Sequence, residues 1–251
     1  MDRRSFARAA GLVLAMSLSL GGIAAETPAP AEESWTLPLE VGLRFSDNWL
    51  ETSRSAEGFL GSIDELDPDQ RYLPCNIVVA WRPLPWLSLG VQWDQMRART
   101  VTATADHHSD GSFRVRGPLL GAALRWPDDD PVQPYAELGL AVLSVDFDES
   151  TWWGNGYPSV ADWEAAGKPS TPYRGKQRTL SPSDSTSWTA GCGVLVPFGA
   201  HWALDLNLRY VDAESEVGYA IRYNGVTVDE REKVKIPLAY YAASLGVRYL
   251  F

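Results

Sequence analysis

The chain has 251 residues, a formal net charge of −10 at pH 7, 45% hydrophobic residues and 22% charged residues. This acidic balance excludes the basic face that nucleic-acid binding requires, so we expect no nucleic-acid partner. The two cysteines, Cys75 and Cys192, are too few for a disulfide framework and make no zinc motif. The length fits one domain. The average composition does not distinguish a soluble protein from a membrane β-barrel, in which polar inward residues dilute apolar outward ones.

The N-terminal segment has the order of a secretory signal peptide. Basic residues precede an apolar stretch that is too short to span a membrane as a helix, and small residues follow near Ala25. We predict that 1–25 is a cleaved signal and that 26–34 is a short linker. The paired Arg3 and Arg4 also resemble a twin-arginine signal, which exports folded proteins. That alternative favours a soluble periplasmic protein.

Eight later segments alternate apolar and polar residues with the period of a β-strand. In the first of them, Leu39, Val41 and Leu43 alternate with Glu40 and Gly42. This alternation places one set of side chains on each face of a sheet. The eight segments run over 37–45, 75–82, 87–94, 120–126, 135–142, 188–194, 204–210 and 241–251.

Three features favour a membrane barrel over a soluble β-sandwich, in which the apolar face points inward. The apolar series end in Trp81, Trp93, Trp126 and Tyr210, as expected of aromatic residues at membrane interfaces. The opposite face is rich in glycine, alanine and serine, which suits a narrow lumen. Short connections alternate with long ones. We therefore predict an all-β fold, an eight-stranded antiparallel up-and-down transmembrane β-barrel over 35–251 with short periplasmic turns and long extracellular loops.

The last predicted strand carries the most specific pattern. Its outward residues end in aromatic side chains, and they are Ala243, Leu245, Val247, Tyr249 and Phe251. With this terminus, 35–251 resembles the small eight-stranded outer-membrane barrels of the OmpA/OmpW-like superfamily. The resemblance implies a monomer in the outer membrane of a Gram-negative bacterium, in contact with lipid and lipopolysaccharide. It also implies that the barrel-assembly machinery reads an assembly signal formed by Leu245, Val247, Tyr249 and Phe251.

The alternation also places charged residues on the inward face. These are four carboxylates and five guanidiniums: Glu40, Asp94, Glu137, Asp205, Arg44, Arg82, Arg125, Arg209 and Arg248. A buried charge without a partner is strongly destabilising, and an eight-stranded barrel is only wide enough to be filled by its side chains. We therefore predict a lumen closed by charged pairs, which is not an open pore. The alternative is a proton or ion path.

Signals for catalysis are weak. His107, His108, Ser109 and Asp110 follow one another in a polar loop, where nothing fixes a base against a nucleophile. We therefore expect no enzyme activity, no catalytic residues, no metal and no cofactor.

The predicted loops hold two further kinds of side chain. Carboxylates cluster at Asp64, Glu65, Asp67, Asp69, Asp146, Asp148 and Glu149. They either bind Ca²⁺ or form a solvated, repulsive rim, and the absence of a full ligand loop favours the rim. The longest loop holds the aromatic residues Trp152, Trp153, Tyr157 and Trp163. These residues either hold a ligand or fold the loop onto itself.

The expected function is a structural or interaction role in the outer membrane, or limited lateral transport of small apolar solutes as the resemblance to OmpW-like barrels implies. Two alternatives from other classes stay open. One is a soluble periplasmic β-barrel binding protein exported by the twin-arginine route, which would be recovered without detergent. The other is an outer-membrane lipid-modifying enzyme, whose loss would change lipid A.

The first prediction concerns the terminal aromatic. Deleting Phe251 is expected to lower outer-membrane insertion sharply, because the last strand must pair with the first and hydrocarbon tolerates no unpaired edge. Insertion is measured by membrane fractionation and by the mobility of unboiled protein on gels. In a soluble barrel the same deletion would only fray one end. Normal insertion without Phe251, together with export abolished by changing Arg3 and Arg4 to lysine, would contradict the membrane interpretation.

Overall fold

The computed structural model describes residues 38–51, 63–68, 73–102, 109–126 and 131–251. The predicted signal and linker lie outside these ranges. The described strands are β1 (Leu39–Leu50), β2 (Ile63–Pro68), β3 (Cys75–Leu84), β4 (Leu87–Thr102), β5 (Gly111–Arg125), β6 (Gln133–Glu149), β7 (Lys176–Pro182), β8 (Ser185–Phe198), β9 (Trp202–Val211), β10 (Glu214–Tyr223), β11 (Val226–Pro237) and β12 (Tyr240–Leu250). The described helices are α1 (Thr151–Gly154) and α2 (Val160–Ala165). Within these ranges, no helix is long and apolar enough to cross a membrane.

Eight of the strands close into an antiparallel barrel in the order β1-β3-β4-β5-β6-β8-β9-β12, with β2 paired to the end of β4. Closure occurs at β1, where Gly42 pairs with Arg248 of β12 on one side and with Val78 of β3 on the other. The eight predicted segments supply these eight strands, so the predicted fold class is confirmed. We call the end that carries the β3–β4, β5–β6 and β8–β9 connections the turn end, and the opposite end the loop end.

The barrel is apolar outside and polar inside. Leu245 is 53% exposed and Leu138 is 65% exposed, whereas Arg44 is 1% exposed and Asp205 is fully buried. A soluble sheet protein buries its apolar side chains and leaves its charges in water. The observed distribution is therefore that of a barrel surrounded by lipid.

Aromatic side chains border this apolar surface at both ends. At the turn end, the ring of Tyr249 contacts the rings of Trp202 and Phe251 at centroid distances of 4.9 and 4.8 Å. Toward the loop end, Tyr210 lies 5.2 Å from Trp188 and 5.0 Å from Tyr241. These two groups have the arrangement of the interfacial girdles of a membrane barrel.

The segments expected to be long loops contain regular structure. β10, β11 and β7 form a three-stranded sheet, and α1 and α2 lie between β6 and β7. Asn224 and Gly225 have φ values of 49° and 82° at the β10–β11 turn. This is the Asn-Gly hairpin signal, in which both turn residues have positive φ. We call residues 151–182 and 214–237 the cap.

The ladder between β5 and β6 is interrupted once in the described register. Pairing runs through Arg116↔Ser144 and resumes at Leu119↔Ala141, which leaves out Gly117 and Pro118. Proline has no N–H to donate to a ladder. Glycine is required beside it, because a Cβ on Gly117 would lie 2.0 Å from the carbonyl oxygen of Val142.

The second prediction tests the outward face. Leu245→Arg is expected to cost about 2–4 kcal/mol, the penalty of a cation at a mid-membrane position on a barrel exterior. Val228→Arg is the matched control, because Val228 is 58% exposed but lies in the cap, and it is expected to cost almost nothing. Urea unfolding of protein refolded into lipid vesicles measures both. Equal effects would mean that Leu245 does not face lipid.

Candidate functional site in the barrel lumen

The predicted inward charges lie on seven strands of the barrel, and all nine residues are buried or half-buried. Seven of them form ion pairs within 4 Å: Glu40, Arg44, Asp94, Arg125, Asp205, Arg209 and Arg248. These pairs join strands that are far apart in sequence, because alternation turns each charge toward the same narrow interior.

Asp205 accepts hydrogen bonds from side chains of three other strands. Its Oδ2 accepts hydrogen bonds from Nε of Arg44 and Nε of Arg248, both at 2.7 Å. Its Oδ1 accepts from the hydroxyl of Tyr135 at 2.8 Å. Arg44 in turn donates through Nη1 to Oε1 of Gln92 at 2.7 Å. One carboxylate of β9 thereby holds side chains of β1, β6 and β12.

Glu40 forms a second centre nearer the turn end. Arg125 binds both carboxylate oxygens of Glu40 through Nη1 and Nη2, each at 2.5 Å. Nη1 of Arg248 donates to the same Oε2 at 3.1 Å, so Arg248 bridges Glu40 and Asp205. Two parallel N–H···O bonds are the strongest arrangement that a guanidinium and a carboxylate can make.

Asp94 forms the third centre, toward the loop end. Its Oδ2 accepts from Nη2 of Arg209 and from the hydroxyl of Tyr240, both at 2.7 Å. Its Oδ1 accepts from Nδ2 of Asn76 at 2.8 Å, and the same nitrogen reaches Oγ of Ser46 at 3.0 Å. All three carboxylates are therefore held by several donors, as a buried charge requires.

Glu137 and Arg82 are the two remaining predicted charges. Oε1 of Glu137 accepts a hydrogen bond from Nδ2 of Asn207 at 3.0 Å. Arg82 is half-buried near the turn end, and its charge acts on Glu40. The structure also adds neutral partners that the charge pattern does not identify, chiefly Tyr135 and Tyr240. The sequence could have identified these two partners, because Tyr135 on β6 and Tyr240 on β12 both occupy inward positions of the alternation.

Beyond Asp94, the lumen becomes apolar. Wall residues such as Met96, Phe113 and Leu143 are fully buried and join one cluster with Trp153 and Ile236 of the cap. These wall residues lie beyond the predicted strand segments 87–94, 120–126 and 135–142, whose inward faces are small and polar. The cap covers the lumen here, so the inward face packs like an ordinary protein core.

A cleft of about 510 Å³ lies where the β5–β6 ladder is interrupted. Its rim includes the outward residues Trp93, Pro118 and Val142, and its lining includes Leu143 and Ser185, which face the interior. The cleft therefore joins the outer face of the barrel to the edge of the apolar cluster.

Several acidic and aromatic residues of the predicted loops are paired or buried. Asp146 binds Arg116 at 3.0 Å, and Asp148 binds Arg114. These two carboxylates of the predicted acidic rim are therefore paired with arginines on β5, whereas Asp69 of the rim lies outside the described residues. Trp152, Trp153 and Tyr157 are buried in the apolar cluster, so they fold the segment onto itself, one of the two alternatives.

The short polar loop before β5 is described only in part. Oγ of Ser109 donates to the carbonyl of Gly111 at 2.6 Å, while His107 and His108 lie outside the described residues. At the end of β6, where the strand meets the cap, burial raises the pKa of Glu149. Burial and the neighbouring Arg178 lower the pKa of Lys176. These two groups line or flank a surface pocket of about 330 Å³ that is separate from the lumen.

Two solved outer-membrane proteins share this architecture. OprG from Pseudomonas aeruginosa superimposes with a TM-score of 0.57 at 12% identity, covering 86% of this chain and 97% of OprG. AlkL, solved in DMPC lipid bilayers, gives 0.55 at 14% identity, covering 91% of this chain and 97% of AlkL. No protein-family model and no curated protein sequence matches the chain. The chain has the fold of the small eight-stranded outer-membrane β-barrels.

The third prediction compares two ion pairs of the same chemistry. Asp205→Asn is expected to cost about 3–5 kcal/mol of unfolding free energy, because it leaves two buried guanidiniums without their shared charge. Asp146→Asn is the control, since its pair with Arg116 is nearly half exposed, and it is expected to cost about 0–1 kcal/mol. Urea unfolding in lipid vesicles measures both, and similar small losses would show that the lumen charges are well hydrated.

Proposed function

We propose that this chain resides in the outer membrane and passes small apolar solutes laterally, between its loop end and the surrounding lipid. The cleft at Gly117 and Pro118 is the observation that carries the proposal, because it reaches the buried Leu143 from the outer face of the barrel. In this orientation the turn end is periplasmic and the loop end is extracellular, as the pattern of connections favours.

The division of the lumen supports a lateral route over a through-route. An apolar solute is stabilised in the loop-end half, where Phe113, Leu143 and Val145 are buried together. Crossing to the turn end would require it to separate the pairs Arg44–Asp205 and Arg125–Glu40, which are almost fully buried. Breaking a buried pair costs about 3–5 kcal/mol, so exit into lipid is the easier path.

The cleft also has the chemistry of an exit into hydrocarbon. Trp93 and Val142 are each 47% exposed on its rim, and both are compatible with lipid tails. Ser185 supplies a hydroxyl on the inner side, where its Oγ contacts Oγ of Ser187 at 2.9 Å. The solute class that fits is small and uncharged.

A structural or interaction role is the second candidate. It is favoured by the cap, whose strand β11 lies at the edge of its sheet and exposes Val226 and Val228. The alternative of a soluble periplasmic binding barrel is disfavoured by the extent of the apolar exterior, since soluble monomers rarely expose apolar patches beyond a few hundred Å². We propose a non-enzymatic role, because the cleft offers a route for solutes.

The fourth prediction tests the cleft. Pro118→Val supplies the missing backbone N–H and a β-branched side chain, which should allow the β5–β6 ladder to close. Cells that produce the unmodified protein are expected to take up the apolar dye N-phenyl-1-naphthylamine faster than vector cells. Cells that produce the Pro118→Val variant are expected to lose most of this increase.

Pro134→Val is the control, because Pro134 lies at the turn end of β6, away from the cleft. It should leave dye uptake unchanged at equal amounts of protein in the outer membrane. The proposal is overturned if the Pro118→Val variant takes up dye as fast as the unmodified protein, or if the unmodified protein gives no increase over vector cells.

A further inference from the structure

The surface pocket of about 330 Å³ lies where the end of β6 and α1 meet strands β7 and β10 of the cap. Its lining holds three charged side chains, Glu149, Arg178 and Arg222, together with Gly154 and five serine, threonine, asparagine or glutamine residues. This volume is at the lower end of the range of about 300–1,000 Å³ that small-molecule sites occupy. We call it the cap pocket. Its lining is polar throughout, unlike the apolar cluster beneath it.

Two guanidiniums of the cap pocket are available to a ligand. The side chains of Arg178 and Arg222 form no ion pair and no hydrogen bond with the residues that the structure describes. The two carboxylates that precede Glu149 on β6, Asp146 and Asp148, are already bound by arginines of β5. Guanidinium groups bind carboxylates and phosphates through charge-assisted hydrogen bonds. An anionic group in the pocket would therefore find two donors that are not already used.

An aromatic ring holds one of these guanidiniums in place. Cζ of Arg178 lies 5.8 Å from the ring centroid of Trp153, which is 1% exposed. A cation over the face of a tryptophan ring is attracted by the ring, and a buried ring gives it a fixed platform. A guanidinium that is already positioned loses less conformational freedom when it binds a ligand. Arg178 is thus prepared for binding, while the exposed Arg222 can close on the ligand.

Glu149 supplies a different kind of contact. Its carboxylate lies on the backbone of Gly154, where a Cβ would be 2.9 Å from Cδ and 3.0 Å from Oε1. Burial raises the pKa of Glu149, and no cation among the described residues offsets this effect. The carboxyl group is therefore not paired with Arg178 or Arg222. It can exchange hydrogen bonds with a hydroxyl group, which both donates and accepts.

Neutral polar side chains complete the lining. Those of Thr151, Asn155, Gln177 and Thr179 form no hydrogen bond with other described residues. Amide and hydroxyl groups can each donate and accept. A ligand that uses the whole lining carries one anionic group for the guanidiniums and several hydroxyl groups for the remaining side chains. A sugar with an acidic substituent has this combination, whereas an apolar molecule or a bare anion does not.

We propose that the cap pocket binds an anionic sugar, a saccharide that carries a carboxylate or phosphate group. The anionic group binds Arg178 and Arg222, and the hydroxyl groups bind Glu149, Asn155 and Gln177. The cap pocket shares no lining residue with the cleft. Failure of either proposal would therefore leave the other standing.

The experiment follows the backbone amide resonances of Asn155 and Gln177 by NMR, in mature protein labelled with ¹⁵N and held in phosphatidylcholine nanodiscs. Glucuronic acid and glucose 1-phosphate are titrated separately at constant pH and ionic strength. At least one of them is expected to shift both resonances saturably. Glucose has the ring without the charge, acetate and inorganic phosphate have the charge without the ring, and all three should bind at least about tenfold more weakly.

The source of the sugar is distinguished by recording the same resonances in nanodiscs that contain lipopolysaccharide. Resonances that are already shifted before any sugar is added, and that free sugar then fails to shift further, assign the site to the sugars of that lipid. Unshifted resonances that still respond to free sugar assign it to a sugar from solution.

Arg222→Gln is expected to weaken binding about tenfold or more, since a charge-assisted hydrogen bond is lost. Arg174→Gln is the matched control, because Arg174 is an exposed arginine of the cap that lies over the ring of Tyr173 and does not line the pocket. It should leave binding unchanged.

The proposal is overturned if neither acidic sugar shifts the resonances, if glucose or the bare anions bind equally well, or if the Arg222→Gln variant binds as the unmodified protein does. The comparison of ligands uses unmodified protein, so it does not depend on the folding of any variant.

Discussion

The requirement that buried charges be paired inside a narrow barrel is the constraint on which the rest of this structure depends. Asp205 can be buried only because Arg44, Arg248 and Tyr135 reach it from three other strands. Each of those strands must therefore keep its register, since a shift of one residue would turn its charge into lipid. The same contacts that fill the lumen thus fix how the sheet closes.

This constraint divides the barrel into two halves of different chemistry. In the turn-end half, buried ion pairs such as Arg44–Asp205 and Arg125–Glu40 fill the lumen. In the loop-end half, Met96 and Leu143 replace charge with hydrocarbon, and Trp153 of the cap completes the packing. The cleft at Pro118 lies beside the apolar half. The proposed lateral route therefore belongs to the loop-end half and does not cross the ion pairs.

The alternation of residue types was sufficient to identify the eight barrel strands and the inward or outward direction of nearly every side chain within the predicted segments. The predicted inward positions of Glu40, Asp94 and Asp205 are buried, and the outward Leu245 is exposed. The cap was not anticipated, although the Asn224-Gly225 turn was a readable hairpin signal. Residues of the cap pack against residues of the barrel wall, so the alternation within β10 alone does not reveal what the cap covers.

By itself, the sequence determined the number of barrel strands, the apolar exterior and the set of charges that must lie inside, because a period of two residues sorts side chains to opposite faces whatever the partners are. Only the tertiary structure decided which charges meet. The pair Arg44–Asp205 spans 161 residues of sequence, and its members become neighbours only through barrel closure and strand register. The same holds for the cleft, since Pro118 interrupts a ladder only in relation to Val142 on β6.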